Sequence, residues 1–191
     1  MADFSIAYNW MMDNEDKARQ CKTVPDVPGE WGADENGHKV WNGAHVISGI
    51  NSAAYPKEFA QIDALLLKQR PAAVQSFYQT QFWNRWFDQL VSDEVSKRVF
   101  DASVNMGPGT AVKVAQEAVN EGIGNQLVAE DGGWGPNTLA AINRCEESSL
   151  VSSLRNARLS YYKRIVAKHP EDAKYLGTEQ NPGPWWIRAV Q

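Results

Sequence analysis

The stretch RVFDASVNMGPGTAVKVAQEAV, residues 98–119, decides the fold because it contains two helical patterns with a break between them. The segment MGPG, residues 106–109, forms that break, since Gly and Pro interrupt helices. Apolar or small residues recur three and four positions apart on both sides of it. They are Val95, Val99, Phe100, Ser103 and Val104 before the break, and Ala111, Val112, Ala115, Ala118 and Val119 after it. The sequence therefore predicts two helices joined at MGPG.

The first of these helices also carries two polar residues, Asp101 and Asn105. They are four positions apart, so they share one helix face, next to the apolar face of Phe100 and Val104. Polar groups so close to a core need partners. Two interpretations stay open: a buried network that fixes the helix to the following loop, or a hydrogen-bonding wall for a polar ligand such as a sugar.

Helical periodicity extends over most of the remaining chain. The predicted helices cover residues 3–14, with Asp3 near the N-cap, and then 57–69, 71–90, 138–143 and 151–165. The tail TEQNPGPWWIRAVQ, residues 178–191, is predicted to be a loop with a Trp pair. Strand signals are few, so the predicted fold class is mainly α.

Residues 21–50 interrupt this pattern. They contain two prolines and five glycines, at Pro25, Pro28, Gly29, Gly32, Gly37, Gly43 and Gly49. We expect a long irregular loop or hairpin segment, and long loops in compact domains tend to be functional. Trp31 and Trp41 lie in it, among eight tryptophans in 191 residues. That number suits either a Trp-rich core or a groove that stacks flat ligands such as sugar rings.

The overall composition restricts the function classes. A net charge of -4 argues against a nucleic-acid partner. No apolar run reaches the ~20 residues of a membrane helix, so we expect no membrane insertion. The N-terminus lacks the features of a secretory signal, which predicts cytoplasmic synthesis and another route of release. Cys21 and Cys145 are expected to be free thiols, and the three histidines show no zinc-ligand spacing.

The stretch MDNEDKARQ, residues 12–20, places three acids where the first helix is expected to end. Glycosidic bond cleavage needs a carboxylic acid that stays protonated beside the leaving oxygen. The negative end of a helix dipole disfavours a carboxylate, and Asp13 and Asp16 act in the same direction on Glu15. Glu15 is thus a candidate general acid, and a solvated acid at a helix end is the alternative.

Four segments together resemble glycoside hydrolase family 108, the phage-type N-acetylmuramidases with a C-terminal peptidoglycan-binding-like region. They are FYQTQFWNRWFDQL (77–90), RVFDASVNMGPGTAVKVAQEAV (98–119), DGGWGPNTLAAI (131–142) and GPWWIRAV (183–190). Their order and spacing are similar to those of the family. The resemblance implies a lysozyme-like helical domain, with a muramidase region over residues 1–92 and a peptidoglycan-binding-like region over 93–191, packed as one compact unit.

The resemblance also assigns site residues. The family has Glu-Gly-Gly-Tyr, then Asp-Pro-Gly-Gly-Ala-Thr, then Gly-Ile. Glu15 stands at the Glu position, Asp16-Lys17-Ala18 replaces Gly-Gly-Tyr, and Gly49-Ile50 matches Gly-Ile. The segment PDVPG, residues 25–29, resembles Asp-Pro-Gly, which makes Asp26 the first choice for the second acid and Asp34 the second choice. Residues 30–43 look like an insertion rich in Gly and Trp, either a rim over the glycan cleft or a flexible insertion.

The implied activity is that of a peptidoglycan hydrolase cleaving the β-1,4 bond between N-acetylmuramic acid and N-acetylglucosamine. Glu15 would be the general acid and Asp26 the second carboxylate. The predicted substrate contacts are Ser48, Tyr78, Trp83, Asp101 and Asn105. The implied partner is the peptidoglycan glycan strand, bound by a monomer without cofactor or metal, after holin-type or other release. Because Gly-Gly is absent after Glu15, a non-catalytic peptidoglycan-binding protein or secretion-activator accessory is the alternative.

Overall fold

The computed structural model describes residues 1–26, 32–33, 39–40 and 43–191, with only the backbone of 32–33 and 39–40. This part of the chain contains nine α-helices and five short strands. The helices are α1 (Phe4–Glu15), α2 (Pro56–Asp63), α3 (Arg70–Gln81), α4 (Asp93–Met106), α5 (Pro108–Ile123), α6 (Pro136–Arg144), α7 (Glu147–Lys168), α8 (Ala173–Leu176) and α9 (Pro184–Val190). The strands are β1 (Thr23–Pro25), β2 (Gly32–Ala33), β3 (Lys39–Val40), β4 (His45–Ile47) and β5 (Ile50–Asn51). The predicted mainly α class is confirmed.

The chain divides into two compact units. The sheet unit is Met11–Gln81, and the helical unit is Met1–Trp10 together with Phe82–Gln191. The sequence placed a boundary between residues 92 and 93 and expected one compact unit; both statements stay predictions. No helix in the described ranges is both long enough and apolar enough to cross a membrane.

The sheet unit contains an antiparallel sheet of three strands in the order β1-β4-β5; α2 packs on β4 and β5, and α3 packs on α2. The expected hairpin within residues 21–50 is therefore present. The predicted helix over 57–69 is wrong in its second half, because α2 ends at Asp63. The Arg70 guanidinium donates to the carbonyls of Asp63 and Leu65, at 2.6 and 3.3 Å, and so satisfies carbonyl groups where the helix ends.

The predicted helix over residues 71–90 is also shorter than expected, since α3 ends at Gln81. Asn84 accounts for part of this difference. Its side-chain oxygen accepts a hydrogen bond from the backbone N–H of Trp86 at 2.9 Å, which is the local turn that Asn favours over helix. A 3-10 turn at Phe87–Gln89 follows.

The helical unit is built on α4, α5 and α7, which pack against one another, while α9 packs on α7. The predicted break at MGPG is confirmed: Gly107 has φ +85 after α4, and Pro108 begins α5. The loop predicted for the tail is wrong, because α9 contains both Trp185 and Trp186. Pro184 suits the first helical position, and Trp185 stacks on Tyr162 with ring centroids 5.1 Å apart.

A buried carboxylate joins three of these helices. Asp101 on α4 is fully enclosed and accepts hydrogen bonds from Arg188 on α9 at 2.8–3.1 Å. Arg158 on α7 approaches the same carboxylate at 2.7 Å. Burial acts to raise the pKa of Asp101, but the two guanidinium groups outweigh it, and the pKa lies below its ordinary value. Asp101 is therefore ionised at neutral pH.

We predict that Asp101→Asn destabilises the protein by about 3–5 kcal/mol, because two buried guanidinium groups lose their counter-charge. Urea unfolding at pH 7 measures the loss. Glu121→Gln, which changes an exposed acid near the end of α5, is the control and should leave the unfolding midpoint unchanged.

The same pair of proteins tests the pH dependence. A lowered pKa in the folded state means that the stabilisation is complete above the unfolded-state value of about 3.9 and disappears as the pH falls through the folded value. The difference between wild type and Asp101→Asn should be constant from pH 5 to 7 and shrink below about pH 4. A difference that grows on acidification would contradict the assignment of the buried charge.

Candidate active site

Glu15 is the last residue of α1, as the sequence predicted within one residue. The helix begins after Asp3, whose carboxylate accepts a hydrogen bond from the backbone N–H of Ser5 at 2.7 Å and acts as the expected N-cap. Met11 and Met12 are fully buried, whereas Glu15 is half-buried. The carboxylate thus stands at the negative end of a helix dipole, next to a buried apolar turn.

The turn between β4 and β5 lies against this carboxylate. Ile47 pairs with Ile50, which leaves Ser48 and Gly49 as a two-residue hairpin loop. Both have positive φ, +47 for Ser48 and +84 for Gly49, as the tight hairpin turns that match strand twist require. Ser48 carries a side chain in this left-handed region, an arrangement that persists only where neighbouring contacts hold it.

Gly49 is the point of closest approach in the site. A Cβ atom placed there would lie 2.7 Å from the hydroxyl oxygen of Tyr78, 3.0 Å from Cδ of Glu15 and closer still to its Oε2. Real Cβ atoms do not make such contacts, so the Glu15 carboxylate and the Tyr78 hydroxyl both rest directly on the glycine. Tyr78 is buried and donates a hydrogen bond to the carbonyl of Ser48 at 2.8 Å. The hairpin tip, α1 and α3 therefore meet at one residue without a side chain.

Asp16 holds the other side of the hairpin tip. One of its carboxylate oxygens accepts hydrogen bonds from the Ser48 hydroxyl at 2.7 Å and the Cys21 backbone N–H at 2.9 Å. Partial burial acts to raise the pKa of Asp16, but these hydrogen bonds outweigh it and the pKa lies below its ordinary value. Asp16 thus fixes both the hairpin and the loop after α1. In that loop Arg19 and Cys21 have positive φ.

Asp26 follows β1, next to the base of the same hairpin. Its carboxylate accepts a hydrogen bond from the side-chain amide of Asn51 on β5 at 2.6 Å. Its backbone N–H donates to the carbonyl of Ala44 at 3.1 Å. The orientation of Asp26 is consequently determined by the sheet. Asp34, the second choice for this acid, and Trp31 and Trp41 lie outside the described residues, as does most of the predicted insertion over 30–43.

The structure places Glu15, Ser48 and Tyr78 around the tip of the β4–β5 hairpin and Asp26 beside the base of the same hairpin. Tyr78 and Ser48 act there through buried contacts with the hairpin, so a direct contact of either with a sugar stays a prediction. The sequence did not identify the parts played by Asp16 and Asn51. The only available signal for Asp16 was its place directly after Glu15, where the resembled family has Gly.

The other three predicted substrate contacts belong to the helical unit. Trp83 stacks on Phe87, with ring centroids 4.8 Å apart, and its Nε1 donates to Asp88. Asn105 is exposed and accepts a hydrogen bond from the Tyr162 hydroxyl. Asp101 is enclosed by arginines, as described above, which matches the buried network left open by the sequence. A sugar contact by any of the three stays a prediction, and for Asp101 it would require its ion pairs to open.

Comparison with known proteins matches two family models to most of the chain. Residues 30–107 match the family model Glycosyl hydrolase 108, and residues 110–180 match the model Predicted Peptidoglycan domain. Residues 30–107 are therefore a glycoside hydrolase family 108 region, and a predicted peptidoglycan domain follows it. The chain is accordingly a glycoside hydrolase that acts on peptidoglycan. Glu15 precedes the matched segments, so its role depends on the geometry and on the motif resemblance.

A solved structure, that of Brucella abortus SagA, is similar with a TM-score of 0.57 and 24% sequence identity. The match covers 88% of this chain and 87% of that chain. At this identity the likeness shows a common fold. No match was found among curated proteins. Within the described ranges of the chain, no group of three or more His, Cys, Asp or Glu side chains is arranged to hold a metal ion.

We predict that Gly49→Ala lowers the rate of peptidoglycan cleavage by roughly 10²-fold, because displacement of a reacting group by about 1 Å has effects of that size. Release of soluble fragments from purified peptidoglycan measures the rate. Gly43→Ala is a matched control, since Gly43 has φ +83 and no atom of the described residues lies within 4 Å of an added Cβ.

Both variants place Ala in the left-handed region and should lose a similar ~1–2 kcal/mol of stability from that strain. Only Gly49→Ala also displaces Glu15 and Tyr78. Equal activity in the two variants would show that the close approach at Gly49 does not matter for cleavage.

Proposed function

We propose that the protein is an N-acetylmuramidase of the lysozyme class. It cleaves the β-1,4 bond between N-acetylmuramic acid and N-acetylglucosamine, with Glu15 as the general acid and Asp26 as the second carboxylate. This proposal depends on one observation: the Glu15 carboxylate, at the end of α1, lies directly against Gly49 at the tip of the β4–β5 hairpin. The Tyr78 hydroxyl contacts the same glycine.

The reaction needs one carboxylic acid that protonates the leaving oxygen and one carboxylate that supports the oxocarbenium-like transition state. Glu15 suits the first role because its half-buried carboxylate stands at the C-terminus of α1 and lies directly against Gly49. Tyr78 and Asp16 act through Ser48 to keep the hairpin tip in place, so that the acid has a fixed support. A fixed support matters because proton transfer in the transition state depends on position.

Asp26 suits the second role because its carboxylate is oriented and only partly buried. The hydrogen bond from Asn51 holds one of its carboxylate oxygens in place, and the second role requires a positioned carboxylate that stabilises positive charge or activates water. Asn51 extends from the strand that directly follows Gly49, so one hairpin supports both proposed acids.

A non-catalytic peptidoglycan-binding protein, or a secretion-activator accessory, is the second candidate function. The replacement of Gly-Gly-Tyr by Asp16-Lys17-Ala18 favours it, because glycine would leave more room for a substrate beside Glu15. Action on the cell wall as a phage or prophage endolysin, after holin-type or other release, belongs to the first proposal.

The two candidates are separated by Glu15→Gln, which keeps size and polarity but removes the acidic proton. We predict a loss of roughly 10²–10⁴-fold in the appearance of new reducing ends at N-acetylmuramic acid. Binding to sedimented cell walls and the melting temperature should stay at wild-type values. Asp13→Asn is the control: it makes the same acid-to-amide change in the last turn of α1, where the exposed Asp13 carboxylate pairs with Arg19 at 2.9 Å.

Wild-type-like cleavage by Glu15→Gln would exclude Glu15 as the acid. Wild-type protein that sediments with walls of several chemotypes but never produces reducing ends would establish the binding-protein alternative.

The second acid is tested by comparing Asp26→Asn with Asp34→Asn. We predict that Asp26→Asn reduces the cleavage rate by roughly 10²-fold or more, as expected for loss of a catalytic carboxylate, while Asp34→Asn retains it. Initial rates of reducing-end release under identical conditions provide the measurement. The reverse pattern would transfer the role to Asp34.

A further inference from the structure

A polar groove lies in the helical unit, where α5 begins, along one face of α7 and beside the loop that precedes α6. It has a volume of about 360 Å³. Its polar lining is formed by Thr110, Lys113, Glu117, Asp131, Tyr161 and Arg164. All six residues fall within the segment that matches the Predicted Peptidoglycan domain. The acid-based chemistry proposed for Glu15 uses none of them.

One wall of the groove is a backbone contact that is fixed in place. Gly132 has φ +75, and a Cβ there would lie 2.6 Å from the carbonyl oxygen of Gly109. The side chain of Gln116, which is almost fully buried, holds this loop from behind. Its oxygen accepts from the Gly132 N–H at 2.9 Å, and its nitrogen donates to the Gly133 carbonyl at 3.1 Å. The groove is therefore formed before any ligand arrives, which lowers the entropic cost of binding.

The charges in the groove are mixed and only partly paired. Arg164 pairs with Glu117 at 2.9 Å. The hydrogen bonds from the Gly133 N–H and from Gln116 hold the pKa of Asp131 below its ordinary value, so this exposed acid is ionised. Lys113 is exposed, and no carboxylate among the described residues lies within ion-pair distance of it. The groove thus offers a cation and an anion on a rigid frame.

Peptidoglycan presents two different chemistries to such a surface. The glycan strand is made of N-acetylated sugars, which proteins commonly bind with aromatic faces and neutral hydrogen bonds. The stem peptide carries carboxylates, amide groups and, in many walls, a free amine. Tyr161 is the single aromatic residue in the lining, and the Arg164 guanidinium lies 5.9 Å from its ring centroid. Four charged side chains suit the stem peptide better than the sugar.

We propose that this groove binds the peptidoglycan stem peptide, with a peptide carboxylate at Lys113 and a peptide amine or amide N–H at Asp131. The proposal rests on peptidoglycan being the substrate of the Glu15 site, to which it adds a second point of recognition. Binding of the peptide here would keep the protein on its polymeric substrate between cleavage events.

The test uses the full chain and a synthetic stem tetrapeptide, L-Ala–D-isoGlu–meso-diaminopimelate–D-Ala, in calorimetric titrations. Lys113→Glu should weaken binding by roughly tenfold or more, because it replaces an attractive charge contact by a repulsive one. Lys168→Glu is the matched control: it makes the same charge change at an exposed site in the last turn of α7 and should change the dissociation constant less than about twofold. Equal affinity of wild type and Lys113→Glu, or no binding of the tetrapeptide to wild type at millimolar concentration, would overturn the proposal.

Glycan strands freed of peptide separate this proposal from the proposed activity. Lys113→Glu should cleave them at the wild-type rate while cleaving intact peptidoglycan more slowly. Glu15→Gln should lose cleavage of both substrates and still bind the tetrapeptide. If wild type cuts neither substrate but binds the tetrapeptide in a way that depends on Lys113, the peptide assignment of the groove is supported and the proposed muramidase activity is refuted. Saturable binding of peptide-free strands that is weakened by Lys113→Glu would show a sugar site and overturn the peptide assignment.

Discussion

The helical unit depends on one buried charge. A fully enclosed carboxylate such as that of Asp101 is costly to remove from water, and the cost is offset only where counter-charges and hydrogen bonds surround it. Arg158 and Arg188 provide both, and their helices, α7 and α9, are far from α4 in the sequence. The last helix is thereby tied to α4 by charge, and it is tied to α7 by the stacking of Trp185 on Tyr162. These buried ion pairs add less to net stability than to uniqueness, because any other register of α9 would separate Arg188 from Asp101 and leave the enclosed carboxylate with one guanidinium group instead of two.

In the sheet unit the central feature is instead a residue without a side chain. Gly49 lets a helix terminus, a tyrosine hydroxyl and a hairpin tip approach one another more closely than any other residue would allow. The groups that fix this contact are arranged behind the hairpin: Tyr78 binds the carbonyl of Ser48, and Asp16 binds its hydroxyl. The proposed acid therefore stands on a support whose own hydrogen bonds are satisfied, which is the arrangement that keeps catalytic groups in position.

The features that the sequence predicts depend on local signals, whereas those it does not predict depend on contacts between residues that are not neighbours in the chain. The start of α1 and the end of α4 follow from local signals, the Asp3 cap and the MGPG break. The sequence predicts both positions within one or two residues. The shortening of the helix predicted over 57–69 depends on Arg70 reaching the carbonyls of Asp63 and Leu65, a contact that periodicity does not contain. The helix in the tail needed the stacking surface of Tyr162, which is distant in sequence. Glu15 was found by its motif, whereas Asn51 could be found only from the hairpin register that places it beside Asp26.

The substitution of Asp16 for the family's glycine bears directly on whether the site works. A glycine after the acid would give the chain freedom to turn; here the turn is made instead with positive φ at Arg19 and Cys21, each costing on the order of 1–3 kcal/mol. Such strain persists only where the surroundings hold it, and the Asp16 carboxylate does so by accepting from both Cys21 and Ser48. The same carboxylate therefore stabilises the strained loop and the hairpin tip beneath Glu15. In the altered motif, hydrogen bonds to Asp16 fix the loop that glycine would leave flexible. This favours an intact site around Glu15 over a site that has lost its function.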